Sequence, residues 1–261
     1  MNIICNYRSE AFVKKTFKNE FVNSYIISLN SFGLFTENTY TALEIVNITN
    51  KLNRYNKTVI VDIAKIVHED ELKELEEKII VLANAGVDYF MYSDFGVYYI
   101  LNKNNLLAKT MLYSNTYLTN TLDTKIYQEK NNLVVLSNQI NNEELIKISN
   151  DSFDNQVISA FGLALIMYTY RPLLTNYFAY RGKTNDAKKA NYSLQEEFRD
   201  DLYPIIENEN STKIYDYGYY YLFDELKQMN QKANIIVSGE LLKDSTYLEV
   251  LNVYTSYLNN N

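Results

Sequence analysis

The sequence predicts an α/β fold, a TIM-type (β/α)8 barrel carrying a long insertion between its seventh and eighth strands. Two observations carry this. Eight short runs of β-branched and aromatic residues recur along the 261 residues, and segments of helical period fill the first six gaps and follow the last run. No Gly/Ser-rich linker or internal repeat interrupts them, so a single barrel domain over 1–261 is expected. A doubly wound open sheet is the rival arrangement. Whether the barrel is complete or distorted turns on the first run, which is short and polar at its end.

Taken in order, the strand-like runs cover 3–5, 25–29, 59–63, 89–92, 107–112, 133–136, 156–160 and 235–237, each of strand length and character. The helical segments cover 11–17, 40–52, 72–85, 97–101, 121–130 and 143–149 in the first six gaps, with 244–258 after the last strand. Local signals set several boundaries. Asp70 is placed to cap the helix through LKELEEKIIVLANAG and Gly86 to end it, while Asn141 or Asn142 caps EELIKIS. Asp94 opens the helix after the fourth strand, where the helix dipole favours a carboxylate, and Thr119 or Asn120 opens the next.

Composition excludes whole classes of function. Cys5 is the only cysteine and His68 the only histidine, so one chain cannot supply a disulfide, a Cys/His zinc site or a thiolate-held iron–sulfur cluster. Any metal would rest on carboxylates, and none is expected. The net charge of −7 argues against gripping nucleic acid over a broad surface. No apolar run reaches the roughly 18 residues needed to cross a bilayer, and the opening MNIICNYRSEAFVKK has no signal-peptide core, so the expectation is a cytoplasmic protein that does not engage membrane. The 25 tyrosines and missing tryptophan match an AT-rich coding bias, and aromatic abundance alone assigns no function.

In a barrel, residues just past each strand's C-terminal end converge on the face that carries the chemistry. That rule gathers Asn30, Ser31, Asp62, Ser93, Asp94, Tyr113, Ser114, Asn115, Ser137, Asn138, Phe161, Gly162 and Ser238 to Glu240. Asp62, Asp94 and Glu240 are the carboxylates among them. Such a ring suits hydrogen bonding to a polar ligand better than holding a hard cation. Tyr113, Ser114, Asn115 and Thr116, in YSNTYLTN, form a candidate ligand-binding loop, and Asp62 and Asp94 are the weak catalytic candidates. His68, without a nucleophile partner, reads as structural or exposed, and Cys5 as a small buried hydrophobe.

The excursion over 163–232 breaks the rhythm of the scaffold and is expected to form a lid or partner surface over the C-terminal face. Its first part, FGLALIMYTYRPLLTNYFAYRGK, is aromatic and basic. Arg171, beside Pro172, offers a guanidinium that can hold a carboxylate or phosphate, with Tyr168, Asn176 and Tyr177 around it, unless it pairs internally with Glu196, Glu197 or Asp200. Tyr180, Arg181, Lys183, Lys188 and Lys189 extend the patch toward an RNA or protein contact. The second part, YSLQEEFRDDLYPIIEN, is acidic, and Glu196 and Asp200 fall four apart, as on the solvated face of a helix opposite Leu194, Phe198 and Leu202.

These residues also carry a resemblance. NAGVDYFMYSDFGVYYIL and the following LLAKTMLYSNTYLTNTLDTKIYQEKNNLVVLSNQINNEELIKI resemble the peptidase U32 family, the collagenase-like proteases. YTYRPLLTNYF followed by YSLQEEFRDDLYPIIENENSTKIYD is similar to the short, cysteine-poor members of low-GC bacteria. The similarity covers 3–237 and is strongest over 84–216. It implies a barrel-like fold and work in prephenate-dependent or oxygen-independent hydroxylation, of a tRNA wobble uridine, a ribosomal RNA cytidine or ubiquinone precursors. Several relatives hold a four-iron four-sulfur cluster with four cysteines, and this chain departs from them there. The resemblance therefore implies a cluster-free subunit, with prephenate or another small anion as ligand, tRNA as a contact, and a second, cysteine-containing U32 protein as hetero-oligomeric partner. It also leaves open the peptidase of the family name and a noncatalytic scaffold. Where relatives carry Glu at the end of the seventh strand, this chain is expected to have Gln156, which cannot act as a base.

Overall fold

A computed structural model describes residues 1–36, 38–114, 118–183, 192–208, 211–230 and 233–260. The chain begins with β1 (Ile3–Asn6), α1 (Glu10–Thr16), β2 (Val22–Leu29), β3 (Thr39–Tyr40), α2 (Ala42–Asn53), β4 (Thr58–Asp62) and α3 (Leu72–Asn84). It continues through β5 (Tyr89–Tyr92), α4 (Phe95–Lys103), β6 (Thr110–Tyr113), α5 (Thr121–Lys130), β7 (Leu133–Val135), α6 (Asn142–Asp151) and β8 (Gln156–Thr169). Then come α7 (Leu173–Tyr180), β9 (Tyr192–Gln195), β10 (Leu202–Asn208), β11 (Ser211–Tyr221), α8 (Phe223–Gln228), β12 (Asn234–Val237) and α9 (Asp244–Asn259).

Eight of these strands pair in the order β12, β1, β2, β4, β5, β6, β7, β8, and β8 returns to β12, so the parallel barrel is closed. The thin first strand is a full member: Ile3, Ile4 and Cys5 pair with Ile235, Ile236 and Val237 on one side, while Cys5 and Asn6 meet Tyr25 and Ile26 on the other. All four of its residues are buried. Closure leaves these strands without an edge, which removes the row of unpaired amides an open sheet exposes.

The strands read as near-continuous apolar runs because both faces are covered, by helices outside and by side chains from the other strands inside. Tyrosines lace the two layers. The Tyr25 and Thr16 hydroxyls lie 2.8 Å apart, joining β2 to α1, and the Tyr254 hydroxyl on α9 donates to the Ala160 carbonyl at 2.7 Å. Each ring thus buries a large apolar surface and gives its hydroxyl a hydrogen-bond partner inside the protein. Cys5 is completely buried, and that burial pushes its thiol up out of the range where it ionises.

The chain divides into two compact units, Met1–Phe161 with Leu222–Asn261, and Gly162–Tyr221. In the second, the sheet runs from the outer part of β8 through β11 and β10 to β9. Its core is Leu174, Ile205 and Ile214, with Phe178, Tyr192 and Tyr203 packed against it.

Several local expectations change. The segment around Glu196 and Asp200 is not a helix: β9 and β10 form an antiparallel pair, Leu202 opposite Gln195 and Ile205 opposite Tyr192. Pairing of Ile205 with Ile214 on β11 overrides the helical spacing, and Leu194, Phe198 and Leu202 all stay exposed because no helical face exists to bury them. Asp70 is not the cap of α3. It lies in a 3-10 turn, Glu69–Glu71, whose entry is closed by the Glu71 carboxylate accepting the His68 amide at 2.9 Å. The run 107–112 begins as a second 3-10 turn, Leu107–Lys109, before β6 starts at Thr110. Gly86 does end α3, with φ of 90°, and the Asn141 side chain accepts the Glu144 amide at 2.9 Å at the start of α6.

Gly239, just past β12, is held tightly. Its amide donates to Asn6 Oδ1 at 3.1 Å, and a Cβ there would strike the Tyr247 ring. Gly239→Ala should lower the unfolding free energy by about 1–3 kcal/mol in urea denaturation, the usual cost of overpacking, whereas Gly218→Ala, with open space around it, should be close to neutral.

Candidate functional site

The C-terminal mouth of the barrel is built from the strand registers. Tyr25 points outward to α1, so Ile26 and its partner Asn6 point inward, and two residues on, Ser28 stands opposite Asp62 on the inner face. The same alternation carries through Asp62 to Met91, Met91 to Met111, and Tyr113 to Val135. The upper wall of the barrel therefore presents Asn6, Ser28, Asp62 and Tyr113. Ser114, Ser137, Ser238 and Glu240 are buried close after the strand ends. The mouth is polar and mostly uncharged.

Asp62 is wholly buried and organises the loop that follows β2. Its Oδ2 accepts the Ser28 hydroxyl, the Leu34 amide at 2.9 Å and the Phe35 amide at 2.7 Å, while Oδ1 accepts the Ala64 amide at 3.0 Å. Phe35, fixed in this way, meets the Tyr113 ring edge-on at 5.4 Å. Asp94, just past β5, holds the β4 to α3 connection at a second point. It caps α4 by accepting the Gly96 amide at 2.6 Å and also accepts the Val67 amide at 3.3 Å, and Ser93 Oγ donates to the Ala64 carbonyl. The two carboxylates thus clamp one loop from two sides, and each is spent on backbone amides. Lys65, nearly buried on that loop, reaches the Ser31 carbonyl at 2.9 Å and Glu71 at 3.4 Å.

Between β1 and α9 lies a latch that strand-end reasoning missed. The Tyr247 hydroxyl accepts the Asn6 amide at 2.9 Å and donates to the Val237 carbonyl at 2.7 Å. The Arg8 guanidinium lies over the Tyr247 ring, 5.3 Å from its centre, donates to the Gly239 carbonyl and reaches Asp244 at 3.5 Å. The signal available in the sequence was only the polar NYR directly after an apolar run.

The candidates of the excursion fall in the second unit. Arg171 is exposed; its carbonyl accepts the Thr212 hydroxyl at 2.7 Å, and its side chain makes no ion pair among the described residues, Glu196 being bridged instead by Arg199 at 3.1 Å. Tyr168 lies 6.1 Å from Tyr170, Asn176 and Tyr177 sit exposed on α7, and Tyr180, Arg181 and Lys183 are exposed at its end. Asn115, Thr116, Lys188 and Lys189 lie outside the described residues. The motif YTYRPLLTNYF has an unforeseen partner in YPIIEN. Buried Glu207 accepts the Leu174 amide at 2.6 Å and the Thr175 amide at 3.2 Å, together with the Thr175 hydroxyl, so a carboxylate on β10 caps α7 from a distance. Gln156 does not stand at the end of a strand. It opens β8, is buried, and donates to the Ser149 carbonyl at 3.0 Å, closing the last turn of α6.

The family model of peptidase family U32 matches residues 17–261. The chain belongs to the U32 family. It is 24% identical over 238 residues to the tRNA hydroxylation protein P2 of Bacillus subtilis, covering 88% of this chain and 77% of that protein. Among solved structures it resembles the U32 peptidase Mk0906, with a TM-score of 0.57 at 12% identity over 92% of this chain and 94% of the other. A chitinase from Rhizomucor miehei reaches 0.53 at 10% identity over 98% of this chain and the whole of the other. At these identities the two structures speak for the barrel fold and for nothing finer.

Asp62→Ala leaves the Leu34, Phe35 and Ala64 amides without their acceptor. At about 1–3 kcal/mol for each orphaned donor, the variant should lose at least 3 kcal/mol of stability in urea denaturation.

Proposed function

We propose that this U32 chain is a subunit of a cytoplasmic tRNA-hydroxylating system, assisting prephenate-dependent hydroxylation of the wobble uridine. The observation that carries this reading is the similarity to tRNA hydroxylation protein P2, which extends over most of both chains. The polar, nearly uncharged barrel mouth supports it, being suited to hold a small hydroxylated molecule by hydrogen bonds. Tyr113 and Ser114, with Asn115 and Thr116, are the residues proposed to contact that ligand, and Arg171 is proposed to pair with a carboxylate of prephenate or a phosphate of the RNA.

An iron–sulfur cluster does not fit the donor set. Cys5 is the sole cysteine, it is buried in β1, and burial holds its thiol protonated, so no step is routed through a cluster in this chain. Cluster chemistry, where the system needs it, is assigned to a second, cysteine-bearing U32 protein in a hetero-oligomer. The exposed aromatic and basic side chains Tyr177, Tyr180, Arg181 and Lys183 are proposed to meet tRNA or that partner. No helix among the described residues is long and apolar enough to cross a membrane. The peptidase reading draws nothing from the site: His68 lies exposed ahead of α3, and Asp62 and Asp94 are engaged by backbone amides.

Mass spectrometry of tRNA nucleosides from cells with and without the gene tests the proposal. Deletion should abolish 5-hydroxyuridine and its derivatives at the wobble position, and Arg171→Ala should restore them tenfold or more less effectively than the native gene. Unchanged nucleosides on deletion overturn the reading. Full rescue by an Arg171→Ala, Asn115→Ala double variant points instead to a noncatalytic scaffold.

A further inference from the structure

A cleft of about 220 Å³ lies on the outer flank of the barrel, between α1 and α2. Its lining includes the apolar side chains Val13, Ile48 and Leu52, the rings of Tyr7 and Tyr55, and the charged groups Glu10, Lys14, Lys51 and Arg54. Three cations against one carboxylate is an unusual local balance in a chain of net charge −7. Lys18 Nζ stands 6.0 Å from the centre of the Phe17 ring, and Phe17 packs against Tyr55 at 4.6 Å. The aromatic wall is therefore propped from behind by a second ring and bordered by a further positive charge.

The charges are not equally committed. Glu10 binds Lys51 at 2.8 Å and Lys14 at 3.8 Å, and Lys51 holds the Glu10 carboxyl below its usual range. Arg54, exposed at the end of α2, makes no ion pair among the described residues. Lys51 and Arg54 also offset the carbonyl end of α2, but that role needs neither the apolar floor nor the paired rings. A flat unsaturated ring bearing a nearby anion matches the combination: it can stack on Tyr55 over Val13, Ile48 and Leu52 while its anion meets Arg54.

We propose that this flank cleft seats one nucleotide of single-stranded RNA, its base against Tyr55 and an adjoining phosphate on Arg54, with Glu10 as a charge that limits affinity. The proposal deepens the tRNA reading and rests on it. It adds a contact made by residues of the first unit.

Fluorescence anisotropy of the full chain with a labelled twelve-residue oligouridine and with an unmodified tRNA transcript provides the test. Arg54→Ala should weaken binding about five- to tenfold and reduce the slope of log affinity against log salt by about one. Tyr55→Ala should weaken it by about fivefold or more. Glu10→Gln should tighten binding two- to fivefold, because Lys14 and Lys51 are released, and no loss of folding could produce that direction. Wild-type binding that ignores all three substitutions, or the absence of RNA binding, overturns the cleft. If the wobble hydroxyuridine still depends on the gene, the tRNA reading survives that failure; if deletion leaves nucleosides unchanged, the tRNA reading falls by its own test.

Discussion

A carboxylate with no access to water holds the mouth of this barrel in shape. Asp62 ends β4 on the inner wall, where an isolated charge would be expensive, and at least four hydrogen bonds from Ser28, Leu34, Phe35 and Ala64 converge on it. The donors come from β2, from the loop after it and from the loop after β4. Two adjacent connections are therefore fixed by one side chain, and what they carry is positioned with them: Phe35 against Tyr113 and Lys65 on Ser31. The cost of burying the charge is offset only while the donors stay in place, so the loop and the carboxylate require each other.

The second unit uses the same device. Glu207 on β10 is buried and takes the free amides at the start of α7, joining two segments more than thirty residues apart in sequence. RPLLTN and YPIIE are therefore physically complementary. One supplies a helix start beginning at a proline and without a capping side chain of its own, and the other supplies the cap. With Asp62 and Glu207 each engaged by backbone amides, surface cations outside ion pairs are the charges left to meet a ligand or partner. Arg171 is in that position among the mouth and patch candidates, as is Arg54 on the flank.

The barrel was legible because its signals are local. Each strand is a short apolar run, each of the first six gaps has a helical period, and the caps at Asn120, Asn141 and Asp94 are residue types that accept amides directly. Even the three-residue first run proved to be a complete strand, since closure supplies a partner on both sides. Reading failed where pairing is remote. The spacing of Glu196 and Asp200 looked helical, but the β10 to β11 register decides the conformation there, and nothing within the segment announces that register. Asp62 was recognised as a strand-end carboxylate; that it would be occupied by amides of the neighbouring loop could not be read from residues 28 positions away. The Arg8, Tyr247 and Gly239 latch joins distant parts of the chain and left only the polar NYR after the first run as its trace.

Native-state hydrogen exchange, comparing the native protein with Asp62→Asn, would address the role of this carboxylate most directly. Asparagine keeps one acceptor oxygen but cannot serve both sets of donors. If Asp62 is the anchor of the mouth, the amides of Leu34 and Phe35 should lose protection by tenfold or more, while those of Leu174 and Thr175, capped by Glu207, keep theirs. Unchanged protection at Leu34 and Phe35 would contradict it and return Asp62 to the list of groups free for chemistry.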